Sequence, residues 1–320
     1  MEEIMYDLII LGGGPAGLTA ALYGARAKLK TLVIESKIEG GQITNTTDVE
    51  NYPGIDMING AELGAKMKKQ VVEFGAEFVY DEVVEAELKE EVKKIKTKEK
   101  EYEAKAVIIA TGADPRKIGC PGEEEYAGKG ISYCATCDAA FYEGLEVYVV
   151  GGGDSAIDEA LFITKFAKKV HIIHRRDALR ASQTLQKRAF DNDKIDFIWD
   201  STVKEIKGDM TAKELVLENL KTGEVKSITS DEPFGIFVFI GYVPNTKLFE
   251  GQIEMEKGYI KTDEEMHTNL DGVFAAGDLR IKTVRQVVTA ASDGAIAAVN
   301  AEKYIAEKEG KLYEGFKENK

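Results

Sequence analysis

The chain has 320 residues, 44% of them hydrophobic and 31% charged, which is typical of a soluble globular protein with about two domains. Its formal net charge of −14 at pH 7 argues against nucleic acid or an anionic membrane as a main partner. The acidic start at Met1-Glu2-Glu3, the lack of an apolar run that could span a bilayer and the presence of only three cysteines predict a cytoplasmic protein.

A strand–helix–strand unit opens the chain. Residues 6–11 form a short apolar run typical of a buried parallel strand, residues 15–27 have helical composition, and residues 30–35 predict a second strand. The first strand and the helix are joined by Gly12-Gly13-Gly14-Pro15-Ala16-Gly17, a dinucleotide-binding fingerprint. Its glycines allow a tight turn, the approach of a pyrophosphate and close helix–strand packing. The helix N-terminus would bind the phosphates.

The residue that ends the second strand indicates which nucleotide this first unit binds. Glu35 can accept hydrogen bonds from both hydroxyls of a ribose, and its charge would repel a 2′-phosphate. The first unit is therefore predicted to bind FAD or NAD.

The next segments predict a β meander followed by a crossing into a second unit. Residues 82–103 alternate charged and apolar positions, which predicts an exposed antiparallel meander, and residues 106–112 predict a buried strand that ends on glycine. Pro115 and Pro244 flank the second unit. Because proline restricts its own φ and the conformation of its predecessor, both crossings are predicted to be stiff, extended strands; the alternative is that these are loop prolines without a special role.

The strand–helix–strand pattern recurs in the second unit. Residues 145–150, 154–166 and 169–174 predict the strand, the helix and the second strand. A second fingerprint, Gly151-Gly152-Gly153-Asp154-Ser155-Ala156, joins the first two, with alanine as its third small residue. Two such matches with strands, helices and spacing in place argue against coincidence.

The end of the second strand differs between the units. Counted from the first glycine of each fingerprint, His174 stands where the first unit has Glu35. No carboxylate is placed to take ribose hydroxyls, and Arg175, Arg176 and Arg180 follow. Guanidinium groups suit a 2′-phosphate by charge and by fork geometry, so the second unit is predicted to bind NADPH.

The remaining segments complete both units. Residues 202–228 predict a second meander, and residues 234–241 close the second unit. Residues 273–278 and a helix over about 284–307 are rich in glycine and alanine and are assigned to the first unit. The architecture inferred is one nucleotide-binding domain inserted into another.

A redox couple lies between the two fingerprints, at Cys134-Ala135-Thr136-Cys137. A Cys-x-x-Cys pair is either a dithiol or half of a metal site, and tetrahedral zinc would need two further ligands. The remaining candidate ligands show no paired spacing: Cys120, His171, His174 and His267. We therefore expect no metal. The cysteines are predicted to open a short helix that lowers the pKa of one thiol, with Asp138 as a nearby acid and Cys120 as a passive apolar residue.

Together these motifs resemble the low-molecular-weight thioredoxin reductases of bacteria and archaea, over essentially the whole chain. Besides the two fingerprints, the matching landmarks are Gly40-Gly41-Gln42, Glu50-Asn51-Tyr52-Pro53-Gly54, Thr111-Gly112-Ala113, Pro121-Gly122-Glu123, Cys134-Ala135-Thr136-Cys137-Asp138, His174-Arg175-Arg176 with Arg180, Gly277-Asp278 and Arg285-Gln286. One departure is Ser292, where the family often has glycine, and we expect only a local adjustment there.

The resemblance implies an α/β fold with two Rossmann-like dinucleotide-binding domains of three layers each (ββα). Residues 1–114 and 245–320 would form a discontinuous FAD-binding domain, and residues 115–244 an inserted domain for NADPH and the redox disulfide. The implied FAD-binding residues are Gly12, Gly14, Pro15, Ala16, Gly17, Glu35, Gly41, Gln42, Asn51, Thr111, Gly112, Gly277, Asp278, Arg285 and Gln286. Those implied for NADPH are Gly151, Gly153, Asp154, Ser155, Ala156, His174, Arg175, Arg176 and Arg180.

The resemblance also implies the activity. Hydride would pass from NADPH to FAD and then to the cysteines, with Cys137 facing the flavin, Cys134 attacking the disulfide of a partner and Asp138 handling the proton. Because NADPH and the dithiol belong to one domain and must both visit the flavin, that domain is expected to rotate about its crossings. The implied partner is thioredoxin or a glutaredoxin-like protein, and the implied assembly is a homodimer.

The resemblance also bears on partner docking, and other family readings compete with it. Lys129, Phe141 and Tyr142 are implied to help dock thioredoxin, although the two aromatic residues are equally well explained as core residues. Other readings are a ferredoxin-linked reductase or dithiol oxidase, a peroxide-reductase flavoprotein, a ferredoxin–NADP reductase of this fold, and a non-catalytic redox sensor. The intact second fingerprint with its arginines argues against the first reading, and the start of the chain directly at its first strand argues against the second. The dithiol argues against the third, and the matched dithiol and predicted NADPH site argue against the fourth.

Overall fold

The computed structural model describes residues 5–46, 49, 51–230 and 232–311. They divide into two compact units: unit 1 comprises the described residues of 1–114 and 243–320, and unit 2 is Pro115–Tyr242. The chain thus leaves unit 1 once, forms unit 2 continuously and returns. Within the described ranges, no helix combines the length and apolarity that crossing a bilayer requires.

The helices and strands follow in chain order. Up to the first crossing they are β1 (Met5–Leu11), α1 (Pro15–Arg26), β2 (Thr31–Glu35), α2 (Gly60–Glu73), β3 (Glu77–Tyr80), β4 (Val83–Glu87), β5 (Lys93–Thr97), β6 (Glu101–Ile109) and β7 (Ala113–Pro115). Unit 2 continues with β8 (Ile131–Ser132), α3 (Ala135–Asp138), β9 (Glu146–Val150), α4 (Asp154–Ile163), β10 (Lys169–Ile173), α5 (Gln183–Phe190), β11 (Ile195–Ile198), β12 (Ser201–Gly208), β13 (Ala212–Asn219), β14 (Val225–Thr229), β15 (Gly235–Val238) and β16 (Tyr242–Pro244). The return to unit 1 adds β17 (Met255–Glu256), β18 (Tyr259–Ile260), β19 (Val273–Ala275) and α6 (Val287–Lys308).

Unit 1 is built on a parallel sheet in the order β3-β2-β1-β6. The far edge of β6 is shared by two strands: β5 pairs antiparallel with its first half, and β19 pairs parallel with its second half. The predicted meander at residues 82–103 and the predicted strand at 106–112 are therefore joined, because β6 runs through both. The meander is also not simply exposed, since Ala86, Lys93 and Ile95 are buried.

The two faces of this sheet bury alternate side chains of the same strands. In β1, Leu8 and Ile10 lie in the core on the helix side, with residues of α1 and α6, whereas Ile9 and Leu11 lie in the core on the other face. This explains why the strand reads as a continuous apolar run, because a parallel strand covered on both faces has no polar side. Each such side chain contributes about 1.5–3 kcal/mol on burial.

Unit 2 repeats the three-layer plan with a parallel sheet in the order β11-β10-β9-β15-β8. Val147 and Val149 of β9 pack with residues of α4, and Tyr148 and Val150 pack with residues of the antiparallel sheet β12-β13-β14. This sheet is the meander predicted over residues 202–228.

The two crossings pair with each other as a two-stranded sheet of β7 and β16. On the unit 1 side, Asn245 N donates to the Gly112 carbonyl at 3.0 Å. On the unit 2 side, Arg116 N donates to the Gly241 carbonyl at 2.8 Å. Pro115 and Pro244 lie in these strands, as the extended conformation expected of them requires.

Candidate redox and nucleotide sites

A cavity of about 580 Å³ opens in unit 1 where β1, β2, β3, β6 and β19 reach their carboxyl ends. This is where open α/β sheets bind ligands, and the volume lies in the usual range for a small-molecule site. Many of the residues implied to bind FAD line it: Gly12, Gly14, Pro15, Ala16, Glu35, Gly41, Gln42, Thr111, Gly112, Gly277 and Asp278.

The first glycine loop has a backbone that side chains would block. Gly12 has φ +110°, and a Cβ there would lie 2.4 Å from the Ala110 carbonyl oxygen. A Cβ on Gly17 would lie 1.8 Å from the Gly12 carbonyl oxygen, so Gly17 permits close packing of helix and turn without lining the cavity. Helix α1 begins after Gly14, with Pro15 in its first turn and no side chain capping it. Its N-terminal N–H groups can therefore serve a phosphate.

Glu35 is buried at the carboxyl end of β2. Its Oε2 accepts a hydrogen bond from Gly13 N at 2.6 Å, and its Oε1 accepts one from Lys37 N at 2.8 Å. A carboxylate can accept about four hydrogen bonds, so acceptor capacity remains for a ribose diol. The two backbone contacts hold the side chain beside the glycine loop.

Asp278 carries an unused acceptor in the same cavity. Its Oδ1 is buried, and no donor in the described part of the chain lies within hydrogen-bond distance of it. Burial raises the pKa of this carboxyl group, while the charges of Lys282 and Arg285 oppose that rise. Buried acceptors are normally satisfied, so this oxygen fits a ligand hydroxyl group. The site accordingly fits a flavin nucleotide.

A buried ion cluster that the sequence motifs did not indicate holds the turn before Asp278. The Oδ2 of Asp293, on α6, accepts from Arg280 Nη1 at 2.9 Å, from Lys282 Nζ at 2.8 Å and from Gly277 N at 3.0 Å. All three charged side chains are at most 12% exposed. The sequence signal was a carboxylate inside the first half of α6, whose other residues are small or apolar.

The remaining residues implied for FAD are not among those that line this cavity. Asn51 Nδ2 donates to Gln286 Oε1 at 3.1 Å, and Gln286 forms the N-cap of α6 in a capping box with Thr289. The Arg285 guanidinium lies 4.8 Å from the centre of the Tyr259 ring. Of the matching landmark at 50–54, Glu50 lies outside the described residues.

In the second glycine loop, as in the first, side chains would collide with the surrounding backbone. A Cβ on Gly151 would lie 2.5 Å from the Phe239 carbonyl oxygen, and Gly153 is the N-cap of α4. Arg180 N donates to the Gly152 carbonyl at 2.7 Å, and Asp154 Oδ1 accepts from Ser182 N at 2.7 Å. These two bonds tie the segment that carries the arginines to the glycine loop.

His174 lies under this loop and not among the exposed groups. A Cβ on Gly152 would lie 2.3 Å from His174 Nδ1, so the imidazole occupies the space that a side chain would need. His174 is buried, its Nε2 has no hydrogen-bond partner among the described residues, and burial together with Arg180 and Arg176 lowers its pKa. A neutral ring follows at physiological pH.

The three arginines of this loop are exposed cations. Among the described residues, no carboxylate lies within ion-pair distance of Arg175, Arg176 or Arg180. Unpaired guanidinium groups beside a glycine loop can bind a phosphate monoester. The segment that carries these arginines is tied to the second glycine loop, and its assignment to NADPH stays a prediction.

Cys134 and Cys137 form a disulfide with their Cα atoms 5.3 Å apart. Cys134 is the N-cap of the short helix α3, as predicted, and Cys134 N donates to Ser132 Oγ at 3.1 Å. Ser132 Oγ in turn donates to Asp138 Oδ2 at 2.6 Å. Ser132 thus connects the first cysteine to the acid, a role for which its sequence context carried no motif.

The third cysteine and the predicted docking residues are placed as follows. Cys120 is half-buried against the core on the meander side of unit 2, and burial raises its pKa to about 11, so its thiol stays protonated. Lys129 is exposed and Phe141 is 46% exposed. Tyr142 packs edge-on against Phe237 with the ring centres 5.4 Å apart.

No group of metal-binding side chains occurs in the described ranges.

Comparison with known proteins places the chain in a family. It matches the family described as pyridine nucleotide-disulphide oxidoreductase over residues 6–294. It is 56% identical to a thioredoxin reductase of Peptoclostridium litorale over 95% of this chain and 98% of that protein, and 52% identical to a thioredoxin reductase of Bacillus subtilis over 96% of each. The crystal structure of thioredoxin reductase from Streptococcus pyogenes matches with a TM-score of 0.89 at 48% identity, over 95% of this chain and 99% of that chain.

The chain therefore belongs to the pyridine nucleotide-disulphide oxidoreductase family. These matches confirm the predicted resemblance, the α/β fold class with two Rossmann-like domains, and the assignment as an oxidoreductase enzyme. Membership implies a flavin and a pyridine nucleotide as cofactors.

Proposed function

We propose that this enzyme reduces oxidised thioredoxin, or a glutaredoxin-like protein, with electrons from NADPH. FAD would bind in unit 1 and NADPH in unit 2. The observation that carries the proposal is the pairing of two glycine loops that differ at the end of β2 and β10, together with the disulfide of Cys134 and Cys137. The similarity to proteins named thioredoxin reductase supports it.

The residues of unit 1 fit FAD in distinct roles. The N-terminus of α1 after Gly14 would bind the pyrophosphate, Glu35 would accept from the adenosine ribose, and the orphaned Oδ1 of Asp278 would accept from a further hydroxyl group. When bound, FAD would accept hydride from NADPH and supply two electrons to the disulfide.

The residues of unit 2 would bind NADPH through its charge pattern. The glycine loop before α4 would hold the pyrophosphate, and Arg175 and Arg176 would hold the 2′-phosphate. Replacing both by glutamine should raise KM for NADPH about tenfold or more and leave KM for NADH nearly unchanged, because each charged hydrogen bond contributes about 1.5–3 kcal/mol. Equal effects on the two nucleotides would place the 2′-phosphate elsewhere.

The cysteines would carry out the exchange step. Two electrons and two protons convert the Cys134–Cys137 disulfide into two thiols, of which the attacking one loses its proton. The Cys134 thiolate attacks one sulfur of the partner disulfide, and the Cys137 thiolate then breaks the mixed disulfide, releasing the partner as a dithiol. Asp138, which accepts a hydrogen bond from Ser132, would move the proton.

We further propose that unit 2 rotates about β7 and β16 during turnover. NADPH and the dithiol are assigned to unit 2 and FAD to unit 1, so each must reach the flavin in turn. A covalent crosslink between the two units should therefore stop thioredoxin reduction. A crosslinked enzyme with unimpaired turnover would contradict the rotation.

An anaerobic titration of the FAD-loaded enzyme with NADPH tests the whole relay. Because the flavin and the disulfide each accept two electrons, the enzyme should take up about two equivalents before flavin bleaching is complete. The double variant Cys134→Ser, Cys137→Ser is the matched control and should take up about one. Uptake of one equivalent by the unaltered enzyme would disconnect the cysteines from the flavin, and no bleaching would indicate another donor such as ferredoxin.

We also propose a cellular location and an oligomeric state for the enzyme. We place it in the cytoplasm, where a dithiol can be kept reduced, and propose that it is a homodimer. Sedimentation of the FAD-loaded enzyme should give the mass of two chains, and a single-chain mass would contradict the dimer.

A further inference from the structure

Two carboxylates lie beside the arginine loop of unit 2. Asp177 follows Arg176 directly in the chain, and Asp200 N donates to the Arg176 carbonyl at 3.3 Å. Left unpaired, these carboxylates could form ion pairs with the guanidinium groups or repel an approaching phosphate. The availability of the arginines therefore depends on what holds Asp177 and Asp200.

Lys221 holds both of them. Its Nζ lies 2.7 Å from Asp177 Oδ2 and 3.1 Å from Asp200 Oδ2. The electrostatic consequence is mutual: the pKa of Asp177 is lowered chiefly by Lys221, and the pKa of Lys221 is raised chiefly by Asp177 and Asp200. One cation thus binds the two acids that flank the arginine loop.

The backbone around Lys221 is organised to place it there. In the turn after β13, Asn219 Oδ1 accepts from Lys221 N and from Thr222 N, both at 3.0 Å. Leu220 N donates to the Asp200 carbonyl at 2.6 Å, which ties the turn to the residue before β12. Lys221 therefore lies in a turn whose backbone is fixed by hydrogen bonds.

We infer that Lys221 is a positioning residue for the 2′-phosphate, because it occupies Asp177 and Asp200 and so leaves the arginines of this loop available to the ligand. Lys221 acts through the two carboxylates and need not touch the nucleotide. The inference rests on the proposed binding of NADPH to unit 2 and adds a residue that determines the preference over NADH.

The test uses the FAD-loaded enzyme and two probes that differ by one phosphate, adenosine 2′,5′-bisphosphate and 5′-AMP, with Kd measured by calorimetry. Lys221→Met should raise Kd for the bisphosphate about fivefold and change Kd for 5′-AMP by less than about twofold. The released carboxylates of Asp177 and Asp200 would compete for the arginines and repel the 2′-phosphate, and the effect is modest because exposed charges are screened by solvent and salt. The matched control is Lys213→Met, which removes a comparable exposed lysine paired with Asp209 at the other end of β13 and should change neither value.

A rescue variant tests whether the effect passes through the carboxylates. Adding Asp177→Asn and Asp200→Asn to Lys221→Met should restore tight binding of the bisphosphate. Asn suits position 200, where φ is +52°. Failure of the rescue, equal weakening of both probes, no change in either, or the same effect in the control would each overturn the inference.

The Arg175→Gln, Arg176→Gln variant, measured alongside, separates this inference from the proposed function. If that variant loses its preference for the bisphosphate while Lys221→Met keeps it, only the role of Lys221 fails. If the arginine variant also keeps its preference, the proposed 2′-phosphate site itself fails.

Discussion

The two glycine loops have similar backbone conformations but different surroundings. In both, a Cβ on the first glycine would collide with a carbonyl of a neighbouring strand end, and the next helix begins at the loop without a side-chain cap. The residue at the end of the second strand differs between the units. Unit 1 has the buried carboxylate of Glu35, and unit 2 has the neutral ring of His174, followed by exposed arginines. The shared scaffold is typical of a phosphate-binding loop, and under the proposed function the end of the second strand would determine the charge around the ribose.

The units also differ in what lies beneath their sites. In unit 1 the turn before Asp278 is fixed by the buried cluster of Arg280, Lys282 and Asp293. In unit 2 the charged groups near the glycine loop lie at the surface. They are the exposed arginines and the ion pairs of Lys221 with Asp177 and Asp200. Substitutions in unit 1 should therefore affect stability and flavin retention, and those in unit 2 should affect nucleotide preference.

The largest effect is expected at the disulfide, which only unit 2 carries. Cys137→Ser should reduce thioredoxin turnover by about a thousandfold or more, because the remaining thiol cannot form the internal disulfide that accepts electrons. Reduction of the bound flavin by NADPH should persist in a stopped-flow measurement. Cys120→Ser is the control and should leave turnover intact, and a comparable loss there would show that the third cysteine takes part.

The next effect tests the buried cluster of unit 1. Asp293→Asn should lower the free energy of unfolding by about 3–5 kcal/mol, since it removes the carboxylate that pairs directly with the buried charges of Arg280 and Lys282. Urea unfolding of the flavin-free protein measures it. Asp191→Asn, which breaks the exposed pair with Lys187, should change stability by less than about 1 kcal/mol. Equal losses of unfolding free energy in the two variants would mean that the buried cluster stabilises the fold no more than an exposed ion pair does.

Asp278→Asn should separate stability from flavin binding. In the flavin-free protein, the raised pKa of Asp278 means that its stabilising contribution is present below the unfolded-state pKa and is lost as pH rises through the folded-state pKa. The amide should therefore unfold at a higher temperature than the carboxylate at neutral pH, yet bind FAD about tenfold more weakly because it is a poorer acceptor. A variant that is both less stable and unchanged in FAD affinity would contradict this role.

The smallest effect is the opposite pH dependence in unit 2. His174 has a lowered pKa, so its contribution to stability is present above the unfolded-state pKa of about 6.5 and is lost as pH falls through the folded-state pKa. Thermal unfolding at pH 5.5 and 7.5 should show this loss, and His174→Asn should reduce it. An unchanged pH profile in the variant would assign the acid sensitivity to other groups.

The sequence allowed the local parts of both sites to be predicted. Gly12 and Gly151 were identifiable because only glycine tolerates their backbone surroundings, and the dithiol was identifiable from its spacing. The bounds of the predicted meander and of the strand after it were less well predicted, because β6 changes from a half-exposed to a fully buried strand without a break. Periodicity alone cannot show that two such halves are continuous.

By itself the sequence determined the two glycine turns, the charge of Glu35 against that of the arginines, and the cysteine pair, since each depends on residues close together in the chain. Only the tertiary structure decided which distant groups meet. Asp293 reaches Gly277 because α6 packs on the sheet that ends there, and Lys221 reaches Asp177 and Asp200 because a meander turn is tied to the strand end. Such pairings depend on the packing of whole layers, which no local pattern records.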